Sequence, residues 1–338
     1  MRIDVIIATY NRAALLDRAV RSVLDARLSA GVEVTVTVVD NNSTDETAQV
    51  VARLRDATPE RVQYLFEQRQ GKAYAVNAGL AATRGEIVAL ADDDQFMEPD
   101  WLRVIHRAIS EGFDFVTGPV NGDWQAAPPR WYDERLRGVL SLNTWGEARI
   151  VYREDESPRA RSISGGNVAL RREALEKIGG CYHPELGKTA DTFAMGEDSE
   201  LFLRLRHAGY RGLYEPQMKV QHLVPRERLT KRYFRAWHRG YGKSVALLER
   251  LHPQPVSHMF GVPRFMLRQT LEAVPKMLAA RWQGDLPGSF AQELQLWFML
   301  GFLQGVRTHR TDPGPQTSDL RPQTAIRQES AATKQSEI

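Results

Sequence analysis

Glu86-Ile87-Val88-Ala89-Leu90-Ala91-Asp92-Asp93-Asp94 runs a short apolar stretch straight into three adjacent carboxyls. Working back towards the N-terminus, Val62-Gln63-Tyr64-Leu65-Phe66, Val34-Thr35-Val36-Thr37-Val38-Val39 and Ile3-Asp4-Val5-Ile6-Ile7-Ala8 are three more β-rich runs, dense in branched side chains. Between them lie helical patterns. Leu15, Leu16, Ala19, Val20 and Val23 mark one helical face, with Asn11 as its expected cap. Ser43 and Glu46 form an expected capping box ahead of Val50, Val51 and Leu54, and residues 71–83 read as a third helix. Strand and helix in alternation imply βαβ units and a mostly parallel sheet flanked by helices. Such sheets bind ligands beyond the carboxyl ends of their strands. Those ends carry Thr9-Tyr10-Asn11-Arg12, Asp40-Asn41-Asn42 and Asp92-Asp93-Asp94, so polar residues converge on one rim.

Three carboxyls side by side at the end of a buried strand repel one another and call for a cation. A hard divalent ion such as Mn2+ or Mg2+ takes one or two carboxylates plus phosphate oxygens, and can neutralise a departing diphosphate. Strand alternation would place Asp92 and Asp94 on one side and Asp93 on the other. A solvated acidic turn is the competing reading of the triplet. Asp40 can accept from a nucleobase or ribose, or merely cap its turn. Gly71-Lys72 sets a flexible backbone and a cation where a phosphate would lie, unless Lys72 is only a surface lysine.

The remainder of the 338 residues is less regular. Strands are expected over 113–120, 162–170 and 218–224, a helix over 197–207 and loops over 121–158. A long basic helix is expected over 226–251, with amphipathic helices beyond Pro263 and over 290–307. Hydrophobic residues make up 42%, enough for a substantial core. Lys+Arg number 45 against Asp+Glu 42, a net +3 too small to argue for nucleic acid. The lone Cys181 cannot form an internal disulfide and reads as incidental. No signal-peptide pattern opens the chain, and no run reaches the roughly 18 to 20 apolar residues that span a bilayer. The expectation is a cytoplasmic protein, peripheral on the inner face of the membrane if bound to it. From Thr311 the chain is rich in Thr, Gln, Ser and Pro, and disorder is expected.

These residues resemble glycosyltransferase family 2, with its GT-A fold. Val5-Ile6-Ile7-Ala8-Thr9-Tyr10-Asn11-Arg12, Val38-Val39-Asp40-Asn41-Asn42-Ser43-Thr44-Asp45, Gly71-Lys72-Ala73-Tyr74-Ala75-Val76-Asn77-Ala78-Gly79 and Asp92-Asp93-Asp94 are similar to four of its motifs, in the family's order. The resemblance implies a GT-A catalytic domain over 1–225, followed by a helical extension over 226–310 and a tail over 311–338. It implies that Thr9, Tyr10, Asn11, Arg12, Asp40, Lys72, Asp92 and Asp93 serve the donor. Asp92 and Asp94 would hold the metal, joined by His222. Ser164-Gly165-Gly166-Asn167 resembles the loop facing donor sugar and acceptor, its glycines allowing close backbone approach. Gly196-Glu197-Asp198 resembles the family's ED motif, whose aspartate is the base of inverting enzymes; pairing with Arg204 or Arg206 is the bland alternative.

The implied activity is metal-dependent, inverting transfer of a hexosyl-type sugar from a nucleotide-diphospho-sugar to a saccharide or lipid-linked hydroxyl acceptor. Cell-surface polysaccharide or glycolipid synthesis is its implied setting. The alternative is a non-catalytic nucleotide-sugar-binding scaffold of a polysaccharide assembly complex. A sugar nucleotidyltransferase is disfavoured, because Ala8-Thr9-Tyr10-Asn11-Arg12 replaces the Gly-x-Gly-x-Arg loop usual in that class. Processive members carry Gln/Arg-x-x-Arg-Trp; here Ala236 follows Arg235 and Trp237 comes one position late, which favours single addition. Between Arg226 and Arg250, eight Lys/Arg face two Glu. That charge suits a donor diphosphate, an anionic membrane surface, or simply solvent.

Overall fold

A computed structural model describes residues 1–152, 162–187, 195–253 and 255–310. The expected tail over 311–338, and part of the expected loop over 121–158, lie outside the described residues. In chain order the first half runs β1 Arg2–Thr9, α1 Ala13–Leu24, β2 Glu33–Asp40, α2 Thr47–Ala57, β3 Val62–Phe66, α3 Lys72–Ala82, β4 Ile87–Asp92, β5 Gln95–Met97 and α4 Trp101–Ser110. Then come β6 Phe115–Thr117, β7 Val120–Trp124, β8 Ile150–Tyr152, β9 Asn167–Arg171, α5 Arg172–Lys177, α6 Glu197–His207, β10 Gly212–Tyr214 and β11 Val220–Val224. Helices α7 Lys231–Leu251, α8 Arg264–Trp282 and α9 Leu286–Arg310 close the described chain.

The main sheet has the order β3-β2-β1-β4-β9-β6-β10-β8. β3, β2, β1 and β4 are parallel, and β9 runs antiparallel between β4 and β6. Ile3, Val5, Ile6 and Ile7 are fully buried because helices cover both faces of β1. Register then aligns the functional rim: Thr9 sits opposite Asp40, Ala8 opposite Asp92, and Ala91 opposite Asn167. A second sheet, β5-β11-β7, pairs His222 with Gln95, the residue after the aspartate triplet.

Several local expectations are corrected. The expected strand over 113–120 is two strands, β6 and β7, in different sheets. Neither the Asn11 cap nor the Ser43/Glu46 box forms. The Ala13 amide instead donates to Asp45 at 3.0 Å, Thr44 donates to Asn11 at 2.7 Å, and Asn11 donates to Ser43 at 3.0 Å. The two rim loops thus cap each other, a long-range solution that short-range patterns cannot show.

Of the helices beyond 225, α7 and α9 share the main core. Phe234 of α7, with Phe290 and Leu294 of α9, packs beside Trp131. α7 and α9 meet backbone to backbone: a Cβ on Gly242 would lie 2.1 Å from the Phe298 carbonyl, and one on Gly301 1.9 Å from that of Arg239. α8 packs on α9 through Met266 and Ala273, and its opposite side faces outward.

Candidate active site

At the carboxyl ends of β1 and β4 the strand turns after Asp92, so strict alternation stops there. The split expected between Asp92/Asp94 and Asp93 is therefore corrected. Asp93 and Asp94 share Arg12, whose Nη1 donates to Asp93 at 2.7 Å and Asp94 at 2.8 Å. Thr9 donates its hydroxyl to Asp93 at 2.8 Å. Asp92 turns instead to Lys72, 2.8 Å away. The expected trio of Asp92, Asp94 and His222 is not assembled, and among the described residues no three His, Cys, Asp or Glu side chains gather as one metal site.

What does assemble is a pair. His222 Nε2 lies 3.4 Å from Asp94 Oδ1, and Arg228 Nη2 donates to the same carboxylate at 3.2 Å. Burial opposes ionisation of Asp94, but His222, Arg12 and Arg228 outweigh it and hold the carboxyl well below the usual range. Asp93 moves the other way, because burial and its neighbour Asp94 outweigh Arg12. One carboxylate and one imidazole are a fitting partial donor set for Mn2+ or Mg2+, which complete their shells with phosphate oxygens and water. Among the buried side-chain atoms without hydrogen-bond partners are Gln95 Oε1, His222 Nδ1 and Glu197 Oε2.

The opposite wall starts with α6. Asp198 accepts from the Tyr182 hydroxyl at 2.6 Å and is not paired with Arg204, which is bound to Glu200. Asn77 of α3 clamps Tyr182, accepting its amide N–H at 2.9 Å and donating to its carbonyl at 2.7 Å. The helix that carries Lys72 therefore also positions the carboxylate of Asp198. The backbone of Gly165 and Gly166 fills the gap between the two walls. A Cβ on Gly165 would meet Asp198 Oδ1 at 1.8 Å, and one on Gly166 would meet Asp92 Oδ2 at 2.4 Å. Any side chain there would displace both carboxylates, which is the close approach expected from these glycines.

Asn167 requires correction: its side chain does not face the cleft. Its amide donates to the Pro119 and Met218 carbonyls and accepts from Trp101 Nε1 at 2.8 Å, in the core. Asp40 likewise spends its carboxylate on Ser43 N–H and Tyr64 hydroxyl. Its neighbour Asn41 lines the cleft, holds Gly71 N–H at 2.8 Å, and was not singled out from sequence. Trp145, Arg137, Arg228, Tyr233, Trp237 and Tyr241 also line it. Arg228, Tyr233, Trp237 and Tyr241 belong to the basic, aromatic stretch 226–251, and Arg137 and Trp145 to the expected loops over 121–158. Arg235, by contrast, is held by Glu293 at 2.6 Å, away from the cleft. Cys181 is buried, and burial pushes its thiol up to about 12, so it is inert as a nucleophile.

The cleft enclosed by these walls has a volume of about 1260 Å³, enough for a nucleotide and a sugar together. Lys72 sits between the walls: burial opposes its charge, but Asp92, Asp198 and Glu197 outweigh that and hold it protonated. Glu197 pushes up to about 7, because burial and the charge of Asp198 outweigh Lys72. A buried carboxyl raised in the folded state contributes stability below its unfolded pKa and loses it as pH rises through the folded value. Glu197→Gln is therefore expected to melt like the wild type near pH 4.5 and higher than it at pH 8, by on the order of a few degrees. Identical melting curves at pH 8 would mean that Glu197 ionises without cost.

The profile of Glycosyl transferase family 2 matches residues 4–179, more than half the chain, and the chain belongs to that family. It is 28% identical over 259 residues to the succinoglycan biosynthesis protein ExoM of Rhizobium meliloti, covering 75% of this chain and 77% of the relative. It is 26% identical over 261 residues to the glucosyl-dolichyl phosphate glucuronosyltransferase of Haloferax volcanii, covering 75% and 79%. Among solved structures it is similar to the mannosyltransferase PcManGT from Pyrobaculum calidifontis, solved with GDP-Man and Mn2+. The TM-score is 0.59 at 20% identity, over 90% of this chain and 86% of the other. The fold is GT-A, and the protein is a glycosyltransferase.

Proposed function

We propose that this chain moves one sugar from a nucleotide-diphospho-sugar to a hydroxyl acceptor, with inversion and with a divalent metal. The observation that carries this reading is the juxtaposition in one cleft of the Asp94–His222 pair with a separately positioned carboxylate, Asp198. Asp94 and His222 hold Mn2+ or Mg2+, which when bound neutralises charge on the departing diphosphate. Lys72 and Arg228 present cations to the same phosphates. Thr9, Tyr10, Asn11 and Arg12 border the nucleotide end, with Asn41 beside the base and ribose.

Asp198 takes the proton of the acceptor hydroxyl as its oxygen forms a bond to the anomeric carbon. The bond from that carbon to the diphosphate oxygen breaks with its electron pair, and the nucleoside diphosphate leaves from the opposite face. The Tyr182 hydrogen bond fixes which Asp198 oxygen is free for this, and Gly165 and Gly166 let the donor sugar lie against backbone. A lipid-linked or saccharide acceptor in polysaccharide or glycolipid synthesis fits the names of the relatives.

Thermal-shift screening across UDP-, GDP- and dTDP-sugars, with and without Mn2+, tests the reading. One nucleotide class is expected to raise the melting temperature only with metal, and then to be turned over. Binding of that donor with no hydrolysis or transfer on any acceptor would favour a scaffold role instead.

A further inference from the structure

Helix α8 is apolar on two sides. Met266 and Ala273 are buried against the fold, yet Leu271, Val274, Leu278 and Trp282 stand outward, 75%, 42%, 57% and 91% exposed. Their spacing of three, four and four residues aligns them as one stripe along the helix. By the same helical geometry, Arg264 continues the line of the stripe seven residues before Leu271, while Arg268 flanks it on one side and Arg281 on the other; Arg268 and Lys276 share the single carboxylate of Glu272, at 3.8 Å and 2.8 Å, which leaves the helix net positive. Just ahead of α8, Phe260 and Gly261 form a two-residue turn between His258–Met259 and Val262–Pro263. Phe260 adopts φ 55 there, a conformation unfavourable for a bulky side chain, and its ring is 87% exposed. Backbone strain and solvent exposure of a large ring both cost free energy.

We propose that this face of α8, with the Phe260 turn, rests on an anionic lipid bilayer, its apolar stripe in the acyl boundary and its arginines among the headgroups. The charge pattern favours that occupant. A second copy packed stripe to stripe would bring like-charged arginine borders together, whereas anionic headgroups neutralise them. The chain's own residues 311–338 carry only Leu320, Ile326 and Ile338 as large aliphatic side chains, too few to cover the stripe. Trp282 at the helix end suits the interface, where an indole has an apolar body and a polar N–H. No helix among the described residues is long and apolar enough to cross a membrane, so the contact is a surface one. The proposal stands on surface chemistry and is independent of the catalytic reading.

Flotation of the full chain with vesicles containing about 30 mol % phosphatidylglycerol, against pure phosphatidylcholine, tests it. The protein is expected to float with the anionic vesicles at low salt and to be partly released at high salt. Leu278→Glu with Trp282→Ala is expected to weaken partitioning at least about tenfold, and Phe260→Ser by a smaller factor. All these side chains are exposed, so melting temperatures should not change, and a melt of each variant separates misfolding from lost binding. No flotation of wild type at low salt overturns the proposal. So does wild-type flotation of the double variant, or a vesicle-free dimer that the double variant abolishes.

Discussion

Asp198→Asn is expected to lower sugar transfer by about 10³-fold while leaving donor binding within about twofold. Asparagine keeps the shape of the side chain and still accepts from Tyr182, but it cannot take a proton from the acceptor. The fold should survive the change. Asp198 lies at the start of α6 and accepts from Tyr182, while the ion pair of that helix joins Arg204 to Glu200. The measurement is initial rate at saturating donor, alongside donor affinity by thermal shift. Retained turnover would remove Asp198 as the base. The failure would not touch the donor site, because Asp198 faces Asp92 across Gly165 and Gly166 without bonding to Asp93 or Asp94.

Asp94→Ala is expected to cost about 10²-fold or more in turnover and to abolish its dependence on Mn2+ or Mg2+. Asp94 is the only one of the three aspartates in contact with His222, and it binds Arg228 as well. Its loss leaves His222 alone to hold a hard cation, which an imidazole without a carboxylate does poorly. Arg12 would keep Asp93, so the rim should not collapse. Asp94→Asn keeps the size of the side chain and separates lost charge from a lost contact. A metal titration of the rate decides the matter: an Asp94→Ala enzyme with wild-type rate and metal dependence would show that the metal is held elsewhere or not used.

The first four strands and their helices were legible because short apolar runs, dense in branched residues and buried on both faces, alternate with helix-length segments from Arg2 to Asp92. Helix α6 was legible to the residue, since Gly196 stops the preceding chain and acidic residues fill the first turn. The short strands between α4 and β11 were not. β6, β7, β9 and β10 are three to five residues long, β7 lies in a different sheet from the other three, and such short runs carry little periodicity of their own. Asn167 shows the limit at the level of one side chain. Its position beside Gly166 resembled a ligand loop, but long-range partners at Pro119, Met218 and Trp101 claimed its amide.

The residue types at the strand ends, and therefore the class of chemistry, were determined by the sequence alone. A chain that ends buried strands in Thr9, Asp40 and Asp92 must place them on one rim, because parallel strands in register share a carboxyl edge. The tertiary structure decided how the acidic triplet is divided. The strand turns after Asp92, so Lys72 takes that carboxylate, Arg12 bridges Asp93 and Asp94, and the pairing of β5 with β11 carries His222 and Arg228 to Asp94 from more than a hundred residues away. Local propensity reports only on backbone conformation over a few residues. Which carboxylate meets which cation depends on where distant segments are brought, and only the packed core sets that.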